Sequence, residues 1–391
     1  MADMVKIGET IQQEIQTTAA AAQLQTGFGE SEAQYIRRNR VRSGRRAAVA
    51  VGISVLLVLM LALTGCGDSS SKAASGKEGG TEPETLELKY QGSVGGVTYP
   101  ELAEELGYLA PIKLKWIGNT ISGPQDIQTA ATGQSDFGGA FNGAIIKLIS
   151  AGAPVKAVIG YYGVDKDTYI GYYTLEDSPI KSAKDLIGKK IGVNTLGAHS
   201  EFVIKEYLRR NGLTEDEIKQ VTLVVIPPVN TEQSLRQKQI DVAALGSVLR
   251  DKALERGGIR ALFTDFELFG TFTAGSYVFT NKFIKQNPNT VRKFVEATGK
   301  AIEWARTTPR DQVIAKYKEI IDKRGRKEDT TAIQFWKSTG IAGKGGYIRE
   351  NEFKVWTDWL VKSGELKEGQ VKLTDLYTDE FSAFKDEQET K

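Results

Sequence analysis

The sequence contains very little cysteine and histidine. Cys66 is the single cysteine and His199 the single histidine among 391 residues. One cysteine excludes an internal disulfide, so the folded part of the chain must be held together by its core. One histidine argues against zinc sites with several histidine ligands and against catalytic triads that use histidine as the base.

An excess of charge of one sign is also absent. The chain carries 51 Lys and Arg against 49 Asp and Glu, a net charge of +2. Since the arginine-rich stretch lies before residue 47, the rest of the chain has no strong positive field that would attract nucleic acid. Hydrophobic residues make up 40% and charged residues 26%, as in soluble globular proteins. The length allows two domains or one bilobed domain, with no nucleic-acid partner and no cofactor expected.

One long apolar run is present at residues 47–63, and it ends in Leu63-Thr64-Gly65-Cys66. This order resembles a bacterial lipoprotein signal, which implies cleavage before Cys66 and a diacylglycerol group on its thiol. Because a cluster of six arginines directly precedes the run, the N-terminus is expected to stay in the cytoplasm while the rest is exported. The expected location is therefore the outer face of the cell membrane. The basic residues are Arg37, Arg38, Arg40, Arg42, Arg45 and Arg46.

An uncleaved signal anchor is the alternative, since residues 47–63 are at the short end of what a transmembrane helix needs. Small residues before Cys66 and the lack of a charged flank after it favour cleavage. Residues 1–65 are longer than the usual signal of about 15–30 residues. We therefore hypothesise that translation starts at Val41 from a non-AUG codon, and the intact mass of the precursor tests this. Residues 66–85 are rich in Ser, Gly, Lys and Glu, and predict a lipid-anchored flexible linker.

After the linker, short alternating or apolar stretches are separated by helical patterns, which predicts an α/β fold with a mostly parallel sheet. Asn142 is expected to cap the third helix. The predicted strands are 86–90, 112–116, 136–139 and 155–161, and the helices between them are 100–109, 124–133 and 142–150.

The same pattern restarts near residue 177, which predicts a second α/β unit inserted into the first. Lobe 1 is expected to comprise residues 86–174 and 277–391, and lobe 2 residues 175–276. The chain would cross between the lobes near 171–177 and 273–277. Two crossovers make a hinge, and a hinge between two lobes makes a cleft that closes on a ligand. After a strand at 277–280, helices are expected at 288–307, 309–324, 330–339 and 350–363.

Four motifs carry a resemblance to a known family: residues 133–138, 151–155, 177–182 and 185–193. In this order and spacing, the sequence resembles the solute-binding proteins of ABC transporters of the nitrate, sulfonate and taurine type, which include thiamine-precursor binders. The resemblance covers residues 86–300 well. It implies the type II periplasmic-binding fold, a small anionic or zwitterionic organic solute, and delivery to a permease and its ATPase. It also implies a monomer without catalytic activity.

Loops that follow the predicted strands are the expected ligand site, because helix N-termini there offer free N–H groups and a partial positive charge. Their residues are rich in Gly, Ser, Thr and Asn, which donate hydrogen bonds or allow close backbone approach, and Arg250 lies near enough to assist. Helix capping or core packing is the simpler role for several of them. The candidates are Ser93, Gly95, Ser122, Gly123, Gln125, Phe141, Asn142, Thr195, Gly197, Ala198, His199, Ser200 and Ser247.

Three other functions remain open at this point. A thiamine-precursor (pyrimidine) binder would use the same cleft with a different solute. An enzyme on the same fold is a second alternative, although the cleft loops contain no cysteine cluster and no paired carboxylates. A sensor ectodomain that signals through a membrane partner is the third.

Overall fold

Residues 82–120, 122–326 and 328–385 are described by a computed structural model of the chain. They belong to one compact unit. The predicted lipoprotein signal with Cys66, the hypothetical start at Val41 and residues 66–81 of the predicted linker lie outside the described residues. Within the described ranges, no helix is both long enough and apolar enough to cross a membrane.

Ten strands are numbered in chain order. Their inward residues are apolar: in the first strand Leu88 and Tyr90 are buried while Glu87 and Lys89 are exposed. The strands are β1 (Glu87–Gly92), β2 (Lys113–Asn119), β3 (Phe137–Phe141), β4 (Val155–Val164), β5 (Ile170–Leu175), β6 (Lys190–Val193), β7 (Thr222–Val225), β8 (Val242–Gly246), β9 (Ile259–Thr264) and β10 (Phe272–Thr280).

The helices are also numbered in chain order, and three one-turn 3₁₀ helices are Lys184–Leu186, Thr331–Phe335 and Lys344–Gly346. The α-helices are α1 (Tyr99–Glu105), α2 (Gly123–Ala131), α3 (Asn142–Ser150), α4 (His199–Arg210), α5 (Glu215–Ile218), α6 (Pro228–Arg236), α7 (Ser247–Glu255), α8 (Asp265–Phe269), α9 (Asn281–Gln286), α10 (Pro288–Thr307), α11 (Arg310–Lys323), α12 (Asn351–Lys362) and α13 (Leu373–Leu376).

The described strands form three sheets, two in lobe 1 and one in lobe 2. In lobe 1, β1 pairs with β2 in parallel, and β10 lies between β3 and β4, antiparallel to both. In lobe 2 the strand order is β7-β6-β8-β5-β9, with β5 antiparallel to β8 and β9. The prediction of a mostly parallel sheet is therefore wrong for β5 and β10, whereas β9 runs in the same direction as β6, β7 and β8. The strands at both crossovers run against their neighbours because the chain enters and leaves each lobe at the same edge.

Helices cover both faces of the lobe 1 strands. Helices α1, α10 and α11 supply one core, where Leu102, Phe294 and Tyr317 are buried. Helices α3 and α12 supply the other core with Ile145 and Trp356. Helices thus cover both faces of these strands, and a ligand can approach them only at the ends of the strands.

The crossovers between the lobes lie a few residues earlier in the chain than the predicted positions near 171–177 and 273–277. Strand β5 (Ile170–Leu175) lies wholly in lobe 2, and β10 (Phe272–Thr280) lies wholly in lobe 1. The predicted boundaries at 174/175 and 276/277 cut through these two strands, so the chain crosses at 165–169 and 270–271. Residues 330–339 are not an α-helix as predicted, since only Thr331–Phe335 forms a 3₁₀ turn.

The end of the predicted flexible linker is fixed to the fold. The Glu84 carboxylate accepts hydrogen bonds from the N–H groups of Asn289 (3.1 Å) and Thr290 (2.9 Å) in the first turn of α10. The Thr85 N–H donates to the Thr290 hydroxyl at 2.9 Å. An acidic side chain at a helix N-terminus matches the partial positive charge there. The folded lobe therefore begins at Glu84.

Candidate functional site

The two crossovers bring strand ends of both lobes to one side of the molecule. We call this side, where the strands next to the crossovers begin or end, the crossover edge. Strands β3 and β4 are both antiparallel to β10, so Phe141 at the end of β3 lies on the same edge as Val164 at the end of β4. In lobe 2, Ile170 at the start of β5 pairs with Gly246 at the end of β8. The carboxyl ends of β3 and β8 therefore both lie at the crossover edge, where ligands of such sheets bind.

Three helices begin at this edge: α3 at Asn142, α4 at His199 and α7 at Ser247. The first N–H groups of a helix have no partner within the helix and carry partial positive charge. The loops 140–143, 194–200 and 246–249 contain no lysine or arginine. An anion at this edge would therefore be held by backbone N–H and hydroxyl groups.

His199 lies between the two lobes. Its ring stacks on the Phe141 ring of lobe 1, with centroids 5.1 Å apart and planes 6° apart. The Phe272 ring meets it edge-on at 5.8 Å, and its Nε2 lies 3.3 Å from Oδ2 of the fully buried Asp265. Neither ring nitrogen makes a hydrogen bond to another described residue. The sequence analysis gave His199 and Phe141 as separate candidates for the same cleft, and the structure shows that their rings are in contact.

Lobe 2 also packs into the core of lobe 1 through Phe202 on α4. Its ring lies 5.1 Å from Phe141 and 6.0 Å from Trp356, centroid to centroid. We call Phe141, Phe202 and Trp356 the interlobe aromatic cluster. All three are buried. The cluster fixes how α4 of lobe 2 faces α12 of lobe 1.

Asn142 is fully buried and its side-chain amide is already bonded. Its Nδ2 donates to the carbonyl of Glu352 (3.1 Å) and more weakly to that of Thr273 (3.5 Å). Its Oδ1 accepts from the Ser276 hydroxyl at 2.9 Å. Phe141, not Asn142, occupies the cap position of α3. The amide therefore has a structural role, and only the backbone of Asn142 remains a candidate for ligand binding.

The loop after β1 is covered by the segment that follows α11. The Gly95 N–H donates to Glu328 Oε2 at 2.7 Å, and the Ser93 carbonyl accepts from Arg324 Nη2 at 3.2 Å. Arg324 also pairs with the buried Glu101 at 3.2 Å. Ser93 and Gly95 are thus engaged by the protein itself, which the sequence did not predict because these partners lie far away along the chain.

Residues at the start of α2 are placed next to β3. Ser122 occupies the cap position of α2 without a side-chain cap bond, so its hydroxyl is not used to hold the helix. Gly123 packs directly on β3, since a Cβ there would lie 2.9 Å from the Ala140 Cα. Gln125 is exposed. Ser122 and Gln125 thus remain candidates, while a side chain at position 123 is excluded by backbone packing.

The loop before α4 keeps most of its predicted residues near the edge. Ala198 is the cap residue, has extended backbone and has no side chain that could cap the helix. The Gly197 N–H donates to Glu201 Oε2 at 2.7 Å. Ser200 is buried, and its carbonyl accepts from the Tyr172 hydroxyl at 3.3 Å. The Thr195 hydroxyl makes one long bond of 3.4 Å to the carbonyl of Leu196.

Ser247 at the start of α7 has a strained backbone. Its φ is +47°, a left-handed conformation that residues other than glycine rarely adopt. Strain of this kind persists where the surrounding structure requires it, and it is concentrated at ligand sites. Ser247 is exposed at the edge, which keeps it among the candidates.

Arg250 does not face the cleft, contrary to the suggestion that it assists in binding an anion. Its guanidinium donates to the carbonyls of Tyr169 (3.0 Å) and Asp167 (2.8 Å) in the first crossover. It also pairs with Asp251 at 2.7 Å and lies over the Tyr169 ring. With only 1% of its surface exposed, Arg250 holds the hinge and is unavailable to a solute.

Asp126 on α2 was read as part of an ordinary helix, but it is a buried acid next to β3. Its Oδ2 accepts the Gly139 N–H at 2.7 Å, and its Oδ1 has no partner among the described residues. Burial raises the pKa of Asp126 to about 7, and the hydrogen bond from Gly139 partly offsets this rise.

The sequence analysis also missed Asp265, although Thr264-Asp265-Phe266-Glu267 has a capping-box pattern that predicts a helix start there.

We expect the stability of the protein to fall with rising pH because of two buried acids. Burial raises the pKa of Asp126 and of Glu352 to about 7, whereas the unfolded values are 3.8 and 4.5. An acid whose pKa is higher in the folded state adds to the free energy of unfolding while it is protonated. This contribution is complete below about pH 4 and is lost as the pH rises to 7. Between pH 5 and 8 each acid should therefore lower the free energy of unfolding by roughly 2 kcal/mol. Urea unfolding of Asp126→Asn and Glu352→Gln should show a smaller pH dependence than the wild type.

The control is Asp358→Asn on the exposed face of α12, which should keep the wild-type pH dependence. The amide variants retain an oxygen for the Gly139 and Thr273 N–H groups. An unchanged slope between pH 5 and 8 in both amide variants would show that these acids are not the cause.

A family model described as NMT1/THI5 like matches residues 102–312 of the chain. The match runs from α1 through lobe 2 and both crossovers to the start of α11, more than half of the chain. The chain belongs to the NMT1/THI5-like family. No curated protein sequence matches it.

Solved structures share the fold of this NMT1/THI5-like chain. The periplasmic aliphatic sulphonate binding protein SsuA from Escherichia coli is 21% identical, with a TM-score of 0.57 over 75% of this chain and 92% of that one. The periplasmic nitrate-binding protein NrtA from Synechocystis PCC 6803 is 14% identical, with a TM-score of 0.60 over 76% and 88%. The desulfurization enzyme DSZB is 18% identical, with a TM-score of 0.52 over 75% and 97%.

At these identities the similarity establishes the fold alone. The predicted α/β fold of type II periplasmic binding proteins, with two lobes joined by a hinge, is confirmed. The same fold serves binding proteins and an enzyme, so function must be argued from the site.

Proposed function

We propose that this NMT1/THI5-like protein is the solute-binding component of an ABC importer. It captures a small anionic or zwitterionic organic solute, of the sulfonate, taurine or nitrate kind, between its lobes and delivers it to a permease and its ATPase. SsuA and NrtA, which share the fold, are named as sulphonate- and nitrate-binding proteins. The proposal also holds that the chain acts as a monomer and catalyses no reaction.

One observation supports this most: helices from both lobes begin at the crossover edge, at Asn142, His199 and Ser247. Their first N–H groups form a preorganised site for negative charge. Because the two lobes are joined by only two crossovers, a solute that contacts both helix starts of lobe 2 and the α3 start of lobe 1 stabilises the closed arrangement.

The solute-binding residues we propose come from these loops. Thr195, Ser200 and Ser247 offer hydroxyl groups from lobe 2, and Ser122 offers one from lobe 1. The stacked rings of His199 and Phe141 would form the floor of the site at the crossover edge. Ala198, whose side chain leaves the cap position of α4 open, would let the solute approach the N–H groups of that helix.

A thermal-shift screen tests the proposal. We expect taurine, an alkanesulfonate, nitrate or a pyrimidine thiamine precursor to raise the melting temperature, since a ligand at 100 times its Kd adds about 2.7 kcal/mol. No stabilisation by any of these compounds at millimolar concentration would contradict the proposal.

The variant Ala198→Asp identifies the site used. An aspartate at this cap position places its carboxylate at the first-turn N–H groups of α4. The same carboxylate occupies and repels the anion site, so the Kd for an anionic solute should rise at least about tenfold. The control Ala198→Ser also caps the helix but adds no charge, and should lose much less affinity. Titration calorimetry measures both, and equal affinities in all three proteins would place the solute elsewhere.

A planar heterocycle such as a pyrimidine is the second candidate solute. The loops at the crossover edge carry no lysine or arginine, and the His199 ring, one face of which is covered by the buried Phe141, would offer its other face for stacking. A neutral pyrimidine would bind almost equally to Ala198→Asp and Ala198→Ser, whereas an anion would not. The two variants therefore separate the two solute classes.

We further propose that Cys66 carries the lipid that holds the protein outside the cytoplasmic membrane. The linker 66–83 then keeps the lobes near a permease, because tethering raises the effective concentration to the millimolar range, about 1 mM for short flexible linkers. In its own host, the mature protein should begin at Cys66 with a diacylglycerol mass, and Cys66→Ser should remain unprocessed. A wild-type protein that retains residues 1–65 would support an uncleaved signal anchor.

Two further alternatives have direct tests. Single-turnover conversion of the bound solute would indicate an enzyme of the same fold. An adjacent gene for a membrane kinase, in place of a permease and an ATPase, would favour a sensor ectodomain.

A further inference from the structure

A cavity of about 320 Å³ lies beside the hinge, apart from the crossover-edge loops. We call it the hinge cavity. It is bounded by the end of α10, the start of α11, residues 336–342, and the crossover residues Asp165 and Thr271. None of the residues around it belongs to the loops of the proposed solute site. We propose that the hinge cavity binds a small polyvalent oxyanion, such as phosphate or a di- or tricarboxylate.

The charge of the cavity wall favours an anion. Arg306, Arg310 and Lys337 line it, and Asp165 is its one acidic residue. The Oδ1 of Asp165 is held by the N–H groups of Asp167 (2.8 Å) and Thr168 (2.7 Å) and by the Ser338 hydroxyl (3.0 Å). The Asp165 carboxylate is thereby bound to the crossover. Among the residues that line the cavity, cations exceed acids by two, and each cation also has an acidic neighbour outside the wall: Glu303 lies 3.2 Å from Arg306 Nε, Asp311 lies 3.6 Å from Arg310 and Asp251 lies 2.9 Å from Lys337.

Both arginines are fixed in position by backbone carbonyls. Arg306 Nη2 donates to the carbonyls of Ile341 (2.9 Å) and Gly343 (3.1 Å). Arg310 Nε donates to the Trp336 carbonyl at 2.8 Å, and its Nη2 donates to the Gln334 carbonyl. A guanidinium held in this way is preorganised and loses little side-chain entropy when it binds an anion.

Each guanidinium keeps one terminal nitrogen for a ligand. Arg306 Nη1 makes no hydrogen bond to a described residue. Arg310 Nη1 has only a 3.6 Å contact with Asp311, whose side chain is 95% exposed. Exposed contacts of this length contribute little to stability. The two Nη1 groups, with the Thr308 hydroxyl in the same wall, form a set of donors suited to a phosphate or carboxylate.

Lys337 connects the hinge cavity to lobe 2. Its Nζ lies 2.9 Å from Asp251 Oδ2 on α7, and its side chain is 43% exposed. An ammonium group has three donors, so Lys337 can turn to an anion in the cavity by giving up its contact with Asp251. Removing the Asp251 charge should therefore strengthen anion binding, while removing Lys337 should weaken it. This opposite effect of two paired residues distinguishes a binding site from a structural ion pair.

Calorimetric titration with inorganic phosphate and with citrate, at an ionic strength matched with sodium chloride, tests the site. We expect one anion per chain, and a Kd about tenfold higher in Lys337→Met, the usual loss for one charge-assisted hydrogen bond. Asp251→Asn should lower the Kd. The control Lys318→Met, on the exposed side of α11, should match the wild type. The Nε–H NMR signals of Arg306 and Arg310 should shift on titration.

Three results would overturn the inference: no binding of either anion, equal Kd values in Lys337→Met and Lys318→Met, or loss of binding in Ala198→Asp alone. The last would assign the anion to the solute site. If Lys337→Met fails to fold, Arg310→Lys serves in its place, since it keeps the charge but loses the planar fork. It should also weaken binding, and an unchanged Kd in that variant would equally overturn the inference.

Discussion

Replacing Arg250 with alanine should lower the free energy of unfolding by about 3–5 kcal/mol, the usual result of removing one partner from a buried ion pair. The guanidinium is 1% exposed and donates to the carbonyls of Asp167 and Tyr169 while it pairs with Asp251. Without it, two carbonyls and a carboxylate lose their buried donor. Denaturant unfolding monitored by circular dichroism measures the change.

Arg256→Ala is the matched control, because Arg256 directly follows the same helix and also pairs with an acid, Glu232. Its side chain is half exposed, so its loss should cost at most about 1 kcal/mol. If Arg250→Ala is no less stable than Arg256→Ala, then Arg250 does not hold the hinge.

Replacing Phe202 with alanine should both destabilise the protein and loosen its lobes. Phe202 belongs to lobe 2, yet its ring packs in the lobe 1 core against Phe141, Trp356 and Trp359. Truncation of a buried phenylalanine costs about 3–5 kcal/mol because of lost burial and the cavity left behind. Since this contact joins the lobes, the radius of gyration in small-angle X-ray scattering should increase as well.

Phe279→Ala separates the two effects. Phe279 is equally buried but lies within lobe 1, where it packs against Phe137, Phe283 and Phe294. It should lose a similar free energy of unfolding and leave the radius of gyration unchanged. Equal scattering curves for the two variants would mean that the interlobe aromatic cluster does not set the lobe arrangement.

Much of the fold is predictable from local sequence patterns. Helices α3 (Asn142–Ser150) and α10 (Pro288–Thr307) have the bounds expected from periodicity. Strands β5 and β9 were missed, because Gly171 interrupts Ile170–Leu175 at the predicted crossover and Arg260 interrupts the apolar residues of Ile259–Thr264. Their strand structure comes from pairing in the lobe 2 sheet, so local propensity alone does not identify them.

The site was less predictable, for a physical reason. Glycines, hydroxyl residues and His199 indicate helix starts at strand ends, but they do not indicate which partners arrive from elsewhere in the chain. Glu328 takes the Gly95 N–H, and the carbonyls of the first crossover take Arg250. Both contacts join residues more than about 80 positions apart, where sequence spacing carries no information on distance.

Native mass spectrometry of the protein purified from its own host tests the central claim, that a small solute is held between the lobes. We expect the wild type to carry one small organic molecule that is released on unfolding, and the Ala198→Ser variant to carry the same molecule. The Ala198→Asp variant should be empty if that molecule is an anion. A wild type without any bound molecule, or an anion that Ala198→Asp retains in full, would contradict the account.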